Sequence, residues 1–287
     1  MRIASRLGRS IIVEGNLCAD IENASQGAFS HRVDDLYRNW QGFVEWARES
    51  APAPDQPFDV TELDAPVQHP RQVFAIALNY LDHAAEAGVK APTSPAVFTK
   101  FPTCLVGPTA AIELPSTQVD WEVELVAVIG VTADRVSQAD AWNYVAGVTV
   151  GQDISERAVQ MAGPVPQFSL AKSYRTFGPI GPWLVTPDAL QRRDDLELHC
   201  SVSGRVLQKG RTGQMVFSVS QLIAQISQVC PMLPGDVLFT GTPPGVGWAR
   251  KPPEYLQPGT TLISEIEGIG KLANPVVAGD GYPQSAE

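Results

Sequence analysis

A succession of short apolar runs after residue 70 constrains the fold more than any other feature of the sequence. Each run has four to seven residues, and Gly, Pro or Asp separates it from the next. Runs of this length, rich in Val, Ile and Leu and bounded by turn residues, are typical of β-strands. The 24 Gly and 24 Pro of the 287-residue chain are enough to supply many turns. The predicted strands cover residues 73–78, 123–129, 144–150, 196–202, 237–240 and 262–266.

Helices are few in this pattern. The clearest one in the main body is predicted at 220–228, where apolar residues lie on one side and Ser218 or Ser220 could cap the first turn. A second helix is predicted at 34–50 from an apolar stripe at helical spacing. The sequence therefore indicates a β-rich α+β fold with few short helices.

The first 70 residues differ from the rest. They contain a short apolar run at 11–13, the helix at 34–50 and then five prolines between residues 52 and 70, which resist regular structure. We therefore predict a small N-terminal domain at 1–70, ending in a Pro-rich linker, and a main domain at 71–280.

Charge and cysteine content exclude several classes of protein. With 21 basic and 31 acidic residues the net charge is −10, which argues against nucleic acid or an anionic membrane surface as a partner. The four cysteines form no CxxC pair, so neither a disulfide framework nor a zinc finger is indicated. The apolar run at 11–13 is too short for a signal peptide, and no later run reaches membrane-spanning length. We expect a soluble, cytoplasmic protein.

Three acidic residues stand at the ends of predicted strands. Glu122 and Glu124 are two positions apart at the start of one strand and so share a face, and Asp153 follows another strand. Such carboxylates could converge on a hard cation such as Mg²⁺, which would remove the cost of burying them. Spacing alone leaves open that they are ordinary solvated acids at an exposed strand end.

A histidine and a glutamate occur together after the first strand of the main body. In a short helix following Leu78, His83 and Glu86 would be i and i+3 neighbours. A histidine oriented by a carboxylate can act as a general base on water near neutral pH. The alternative is a surface turn in which both side chains merely face water.

Four further polar residues could serve an anionic substrate. Arg157 and Gln160 lie at i and i+3 beyond Asp153, and Thr242 lies in a tight Gly/Pro loop. Lys172 lies between an apolar run and a Gly/Pro-rich segment that we predict to be a loop, where it could stabilise a developing enolate. Each of these residues, taken alone, is equally consistent with a plain surface position.

Six motifs, taken in order, give the chain a family resemblance. They are LNYLDHAAEAG, DWEVELVAVIG, QDISERAVQ, AKSYRTFGPIGPWLVT, LPGDVLFTGTPPGVG and IEGIGKLANPV. In order and spacing this set resembles the fumarylacetoacetate hydrolase superfamily over residues 72–277. The resemblance implies a mixed β-sandwich roll in a homodimer, with Mg²⁺ or Mn²⁺ bound and Ca²⁺ as another option. It also makes the main domain the catalytic one.

The resemblance assigns roles to ten residues of this chain. It places catalysis on His83, Glu86 and Lys172, metal ligation on Glu122, Glu124 and Asp153, and substrate contacts on Tyr80, Arg157, Gln160 and Thr242.

Four positions depart from the usual pattern of the family: Ala77, Gln152, Glu156 and Arg175. The last two change charge near the presumed pocket, so they bear on the choice of substrate.

The implied reaction is hydrolysis of a carbon–carbon bond in a 1,3-dicarbonyl acid of the acylpyruvate kind, with a small anionic keto acid as the partner of the site. Decarboxylation of a 3-oxo acid such as oxaloacetate needs the same metal but no attacking water. Isomerisation or hydration of a 2-oxo-enoic acid is a further option, and a non-catalytic binding protein is the remaining one.

Overall fold

The fold is rich in strands. The computed structural model describes residues 1–86, 88–90 and 92–283. The strands in this part of the chain are β1 (Arg2–Arg6), β2 (Arg9–Glu14), β3 (Leu17–Asp20), β4 (Gln56–Pro57), β5 (Leu63–Asp64), β6 (Val73–Ala77), β7 (Ala96–Thr99), β8 (Leu105–Val106), β9 (Ile112–Leu114), β10 (Val119–Asp120), β11 (Val123–Ile129), β12 (Val145–Gln152), β13 (Ser155–Glu156), β14 (Gly178–Val185), β15 (Glu197–Val202), β16 (Arg205–Arg211), β17 (Val237–Phe239), β18 (Thr261–Ile266) and β19 (Gly270–Ala278).

The helices are short. The α-helices are α1 (Ile21–Ala24), α2 (Val33–Leu36), α3 (Trp40–Ser50), α4 (Leu81–Glu86), α5 (Arg157–Met161), α6 (Phe168–Ala171) and α7 (Val219–Ser227). Short 3₁₀ turns cover Tyr37–Asn39, Val60–Glu62, Pro102–Cys104, Ala141–Tyr144, Pro187–Ala189 and Thr212–Gln214. Among the described residues, no helix is both long enough and apolar enough to cross a bilayer.

Two mixed sheets organise these strands. The larger has the order β4-β3-β2-β1-β14-β12-β11-β17-β6-β7, with β5 paired to β1 and β8 paired to β14. The smaller has the order β16-β15-β18-β19-β9, and β10 pairs separately with β13. Most pairs are antiparallel, while β6 with β17, β8 with β14 and β9 with β19 are parallel. The predicted β-rich α+β class with few short helices is confirmed.

Strand β11 lies between β12 and β17 and is buried along its whole length. Leu125, Ala127 and Ile129 pack into one hydrophobic cluster, and Val126 and Val128 pack into the other. Strand side chains alternate between faces, so a continuous apolar run is required wherever both faces are covered. Burial on both faces explains why this strand could be predicted from the sequence with its correct bounds.

The N-terminal segment continues the larger sheet. β1 pairs with β14, with Arg2 opposite Val185, and Phe43 of α3 is buried in the same hydrophobic cluster as Val126. The helix predicted at 34–50 is present as α2, a 3₁₀ turn and α3. The division into domains 1–70 and 71–280 stays a prediction, and this shared cluster joins the two parts.

The Gly/Pro-rich segment after Lys172 was predicted to be a loop, and this was wrong, because it forms β14. Its prolines at 179 and 182 cannot donate to a strand ladder, which is why the pattern indicated a loop. The pairing with β12 is irregular, and the Thr149 hydroxyl donates to the Gly181 carbonyl at 2.8 Å. A side chain thus supplies part of the pairing that a regular ladder would make with backbone groups.

Candidate active site

The three predicted metal ligands come together at the start of β11. Glu122 immediately precedes this strand, Glu124 is its second residue, and Asp153 follows β12. The two strands are antiparallel with Val123 opposite Gln152, so the start of one lies beside the end of the other. The Asp153 N–H donates to the Glu122 carbonyl at 2.9 Å, which fixes the two ligand-bearing segments together.

The carboxylates of these three residues form a compact, buried trio. Each offers one oxygen, and the three oxygens lie within 4.8 Å of one another. The residues are only 6%, 2% and 1% exposed, in chain order. Like charges that are this close and this well shielded from water have a high free energy unless cations compensate them. An all-oxygen donor set suits Mg²⁺ or Mn²⁺ and lacks the nitrogen or sulfur ligands typical of zinc.

Two cations of the chain already contact Glu122. Lys172 donates to Glu122 Oε2 at 2.7 Å, and Arg157 donates to Glu122 Oε1 at 2.7 Å. Burial alone would raise the pKa of Glu122, but the charges of Lys172 and Arg157 lower it to about 2. Glu122 is therefore held ionised. Lys172 also donates to Asp153 Oδ2 at 2.7 Å, so it spans two of the three carboxylates.

A second buried lysine holds Asp153 from the other side. Lys100 follows β7 and is 1% exposed, and its Nζ donates to Asp153 Oδ1 at 2.6 Å. The same ammonium donates to the backbone carbonyls of Lys172 and of Phe177. Lys100 thus fixes both the carboxylate of Asp153 and the segment that carries Lys172.

The buried cluster contains more carboxylates than cations. The carboxylates are Asp120, Glu122, Glu124 and Asp153, and the cations are Lys100, Arg157 and Lys172.

Glu124 is the carboxylate that lacks a cation. In the part of the chain that the structure describes, it accepts one hydrogen bond, from the Gly241 N–H at 2.7 Å. Burial, together with the charges of Asp153 and Glu122, raises the pKa of Glu124 well above its usual value. Glu124 is therefore the carboxylate whose charge is not neutralised within the described part of the chain. A divalent ion bound between Glu124 and the other two carboxylates would supply the positive charge, so the residues fit such an ion.

The predicted histidine–glutamate pair forms on α4. His83 Nδ1 lies 3.3 Å from Glu86 Oε2, and Glu86 also accepts the Gly245 N–H at 3.1 Å. Burial would raise the pKa of Glu86, but hydrogen bonds from His83 and Gly245 lower it. His83 is 7% exposed and lines the same cavity of about 400 Å³ as Glu122 and Lys172. A carboxylate on Nδ1 leaves the opposite ring nitrogen, Nε2, as the basic one.

Arg157, Gln160 and Thr242 line that cavity, and several of their polar groups are already bonded within the chain. Arg157 donates through Nη1 to Gln160 Oε1 at 2.8 Å, besides its contact with Glu122. The Thr242 hydroxyl donates to the Val123 carbonyl at 2.9 Å, so its hydrogen is not available to a substrate in this arrangement. Their roles in substrate binding stay predictions.

Tyr80 is the one predicted contact residue that the structure does not place at the cavity. It is 2% exposed and lines a separate depression with Met215. Burial and the charge of Glu124 raise the pKa of Tyr80. A direct contact between Tyr80 and a substrate in the cavity finds no support in this geometry.

Asp120 was missed as a functional residue. It accepts from Arg157 Nε and Nη2 at 2.9 and 2.7 Å, and from the backbone N–H groups of Gly247 and Trp248 at 2.7 and 3.1 Å. This carboxylate orients Arg157 and fixes the loop that carries Trp248 into the cavity wall. The sequence did contain an indication of this role. Asp120, Glu122 and Glu124 are spaced by two residues, so an extended chain places all three on the same face.

The four departures from the family pattern lie in different places. Of these, only Ala77 lines the cavity. Gln152 accepts from the Glu122 N–H at 2.9 Å, Glu156 caps α5 by accepting from the Val159 N–H, and Arg175 is exposed. The charge changes at Glu156 and Arg175 therefore do not reach the cavity wall directly.

Replacing Lys100 with Met is expected to weaken Mn²⁺ binding by about 10- to 100-fold, the usual cost of removing a group that orients a metal ligand. The substitution keeps the length of the side chain and removes the ammonium that holds Asp153. Calorimetric titration of Mn²⁺ measures the effect, and a melting curve separates it from unfolding. Lys209→Met removes an exposed lysine on β16 and is the matched control. Equal Mn²⁺ affinity in the two folded variants would contradict the assignment.

A comparison with protein families matches residues 72–277 to the C-terminal region of fumarylacetoacetate (FAA) hydrolase. The chain is also 46% identical over 215 residues to a human protein, oxaloacetate tautomerase FAHD2A, mitochondrial. That alignment covers 74% of this chain and 68% of the human protein.

Solved structures agree with the architecture. A crystal structure of a Mycobacterium smegmatis protein has a TM-score of 0.93 and 47% identity, covering 98% of this chain and 100% of that one. A maleylpyruvate hydrolase from Sphingobium sp. SYK-6, solved with manganese(II) and pyruvate, has a TM-score of 0.80 and 28% identity. That match covers 98% of this chain and 100% of the hydrolase.

Proposed function

This chain belongs to the fumarylacetoacetate hydrolase family, and from that membership we propose that it hydrolyses a carbon–carbon bond in an acylpyruvate. The observation that carries the proposal is that a carboxylate trio fit for a divalent ion and the His83–Glu86 pair meet at one cavity, which Glu122 and His83 line. A site that only decarboxylates a keto acid needs no residue to activate water. The histidine–glutamate pair therefore favours hydrolysis over decarboxylation.

Glu122, Glu124 and Asp153 would hold the divalent ion, Mg²⁺ or Mn²⁺. Such an ion supplies a Lewis acid that favours the anionic form of a bound 2-oxo acid. The Mn²⁺ and pyruvate in the related maleylpyruvate hydrolase support this choice of ion and ligand class.

The residues of the chain account for the proton and charge movements. Glu86 holds His83 so that Nε2 takes a proton from water, and the water oxygen adds to the distal carbonyl of the acylpyruvate. The carbon–carbon bond next to that carbonyl then breaks, and its electron pair stays on the CH₂ carbon as the enolate of pyruvate. Lys172 is close to this developing charge and stabilises it. His83 gives its proton to the enolate carbon, the acyl acid releases its own proton to solvent, and pyruvate and the carboxylate of the acyl group leave.

A small anionic substrate is compatible with a chain of net charge −10 because the cavity has its own cations. Lys172 and Arg157 line it, and their pKa values are raised by Asp153, Asp120 and Glu122 in spite of burial. Both therefore stay charged at neutral pH. The local field, not the net charge, decides binding at this range.

Conversion of oxaloacetate is the second candidate, because a human relative with 46% identity is named an oxaloacetate tautomerase. Decarboxylation would use the trio and Lys172 and leave His83 without an essential task, whereas tautomerisation moves a proton between C3 and the enol oxygen and would use His83 as its base.

A panel of acylpyruvates and oxaloacetate, assayed with Mg²⁺ and with Mn²⁺, tests the proposal. Loss of enol absorbance with formation of one pyruvate per acyl carboxylate is the expected result for at least one acylpyruvate. Turnover of oxaloacetate alone would contradict hydrolysis and favour the second candidate.

The homodimer and the cytoplasmic location expected above stay predictions. Val97, Phe101 and Leu170 are exposed apolar side chains at the free edge of β7 and on the neighbouring α6, which supports an interface there. The molar mass in solution would test it.

A further inference from the structure

The cavity beside the carboxylate trio has polar and apolar lining residues. Besides Glu122, Lys172 and His83, the polar lining includes the amides of Gln118 and Gln160. The remainder of the wall is largely apolar, and its bulky members are Val89, Phe98, Met161, Phe168, Trp248 and Tyr255.

The apolar part is built from separate elements that meet around the cavity. Phe98 belongs to β7 and Phe168 begins α6, and their rings pack with centroids 5.4 Å apart. Met161 ends α5, and the backbone N–H of Trp248 donates a hydrogen bond to Asp120, which fixes Trp248 in place. This wall is therefore a formed surface, not a chance gap between loops.

The cations of the cavity lie beside parts of its aromatic wall. Lys172 Nζ lies 5.4 Å from the centre of the Phe98 ring, and the Arg157 guanidinium lies 5.9 Å from that of Trp248. Among the described residues that line the cavity, these are the lysine and the arginine, and both are bonded to ligand or ligand-supporting carboxylates. A second carboxylate on the substrate would therefore meet cations that carboxylates of the chain already neutralise, in a wall that is largely apolar apart from amides such as that of Gln118. Burying a charge in that way is costly, because the wall replaces only part of its water.

The cavity is also larger than a pyruvyl group requires. Pyruvate has six non-hydrogen atoms, which at roughly 30 Å³ each, the share of one water in the liquid, occupy under about 180 Å³. The cavity holds about 400 Å³. Half of it or more is therefore left for the group on the other side of the cleaved bond.

We propose that the acyl group of the substrate is apolar, an alkyl chain of several carbons or an aryl ring, and carries no second carboxylate. This inference rests on the proposed function, because it names the substrate class of the same site. An apolar acyl group would make the substrate of this chain different from fumaryl or maleyl compounds, whose acyl group ends in a carboxylate.

A series of acylpyruvates tests the inference by kcat/KM. From acetyl- through butanoyl- to hexanoylpyruvate, kcat/KM is expected to rise about fourfold for each methylene buried. Benzoylpyruvate should match the longer members, and fumarylpyruvate should fall to the level of acetylpyruvate or below. A flat series, or fumarylpyruvate as the best substrate, would overturn the inference and leave the proposed hydrolysis intact.

Binding to the Mn²⁺-loaded protein separates failure of the inference from failure of the proposed function. If no acylpyruvate is cleaved, the proposed function is wrong. Calorimetry with 2-oxo acids still measures whether the cavity prefers an apolar or a charged group. Tighter binding of 2-oxooctanoate than of 2-oxobutanoate, with 2-oxoadipate weakest, would support an apolar pocket. Equal binding of the three, or tightest binding of 2-oxoadipate, would overturn it.

One substitution should reverse the preference. Met161 is 60% exposed, so Met161→Arg can place a guanidinium at the apolar wall without disturbing a packed core. The ratio of kcat/KM for fumarylpyruvate to that for hexanoylpyruvate is expected to rise about tenfold or more, the value of a charge-assisted hydrogen bond. Val229→Arg adds the same charge at an 88% exposed position outside the cavity and should leave the ratio unchanged. An unchanged ratio in folded Met161→Arg would count against the inference.

Discussion

Replacing Glu124 with Gln is expected to lower metal-dependent turnover by about 10³-fold or more, because a Lewis acid contributes several kcal/mol to this kind of reaction. Glutamine keeps the shape of the side chain and can still accept the Gly241 N–H. It removes the negative charge of the carboxylate that has no cation bonded to it among the described residues. The loss should therefore appear in metal binding and turnover, and not in folding.

The melting temperature of the metal-free protein provides the check on folding. Glu124→Gln should not lower it, because the substitution removes one charge from a buried cluster that already holds more carboxylates than cations. Glu113→Gln, at an exposed position of β9, is the matched control. Near-normal turnover in Glu124→Gln would show that the trio is not the metal site.

Replacing His83 with Ala is expected to lower hydrolysis of an acylpyruvate by about 10²- to 10⁴-fold, the range for loss of a general base. Decarboxylation of oxaloacetate by the same variant should change little, because that reaction needs no activated water. Measuring both reactions on one preparation, at the same Mn²⁺ concentration, gives the ratio directly.

The chain offers a matched control for this experiment. His199 on β15 faces Glu265, with Nε2 and Oε2 3.9 Å apart, and lies outside the cavity. His199→Ala removes a histidine that also faces a glutamate and should leave both reactions unchanged. If His83→Ala lost both reactions equally, His83 would have a role in binding or positioning, and the assignment to water activation would be wrong.

Local patterns predicted the elements that local forces determine. β11 was predicted with its correct bounds because both of its faces are buried, and α7 because its apolar stripe and its Ser218 cap lie within the same few residues. β14 could not be predicted, because its partners are β1, β12 and β8, which are distant in sequence and are needed to hold a strand that contains two prolines.

The same division applies to the site. Alternation along β11 placed Glu122 and Glu124 on one face, the end of another strand suggested Asp153, and helical spacing suggested the His83–Glu86 pair. The resemblance to a known family then assigned their roles. Lys100 could not be recognised, because its partner Asp153 is 53 residues away, and neither residue carries a local sign of the contact. The loop that Asp120 fixes through Gly247 is 127 residues away. Residues that hold a site in place are defined by such long-range contacts.

The most direct test of a divalent-ion site at this trio is anomalous X-ray scattering from crystals grown with Mn²⁺. One strong peak per chain is expected, about 2.1 Å from carboxylate oxygens of Glu122, Glu124 and Asp153, the distance typical of small hard cations. The same crystals of Glu124→Gln should show the peak weakened or absent. A wild-type crystal saturated with Mn²⁺ that showed no peak between these three residues, or a peak bound elsewhere on the chain, would contradict the assignment.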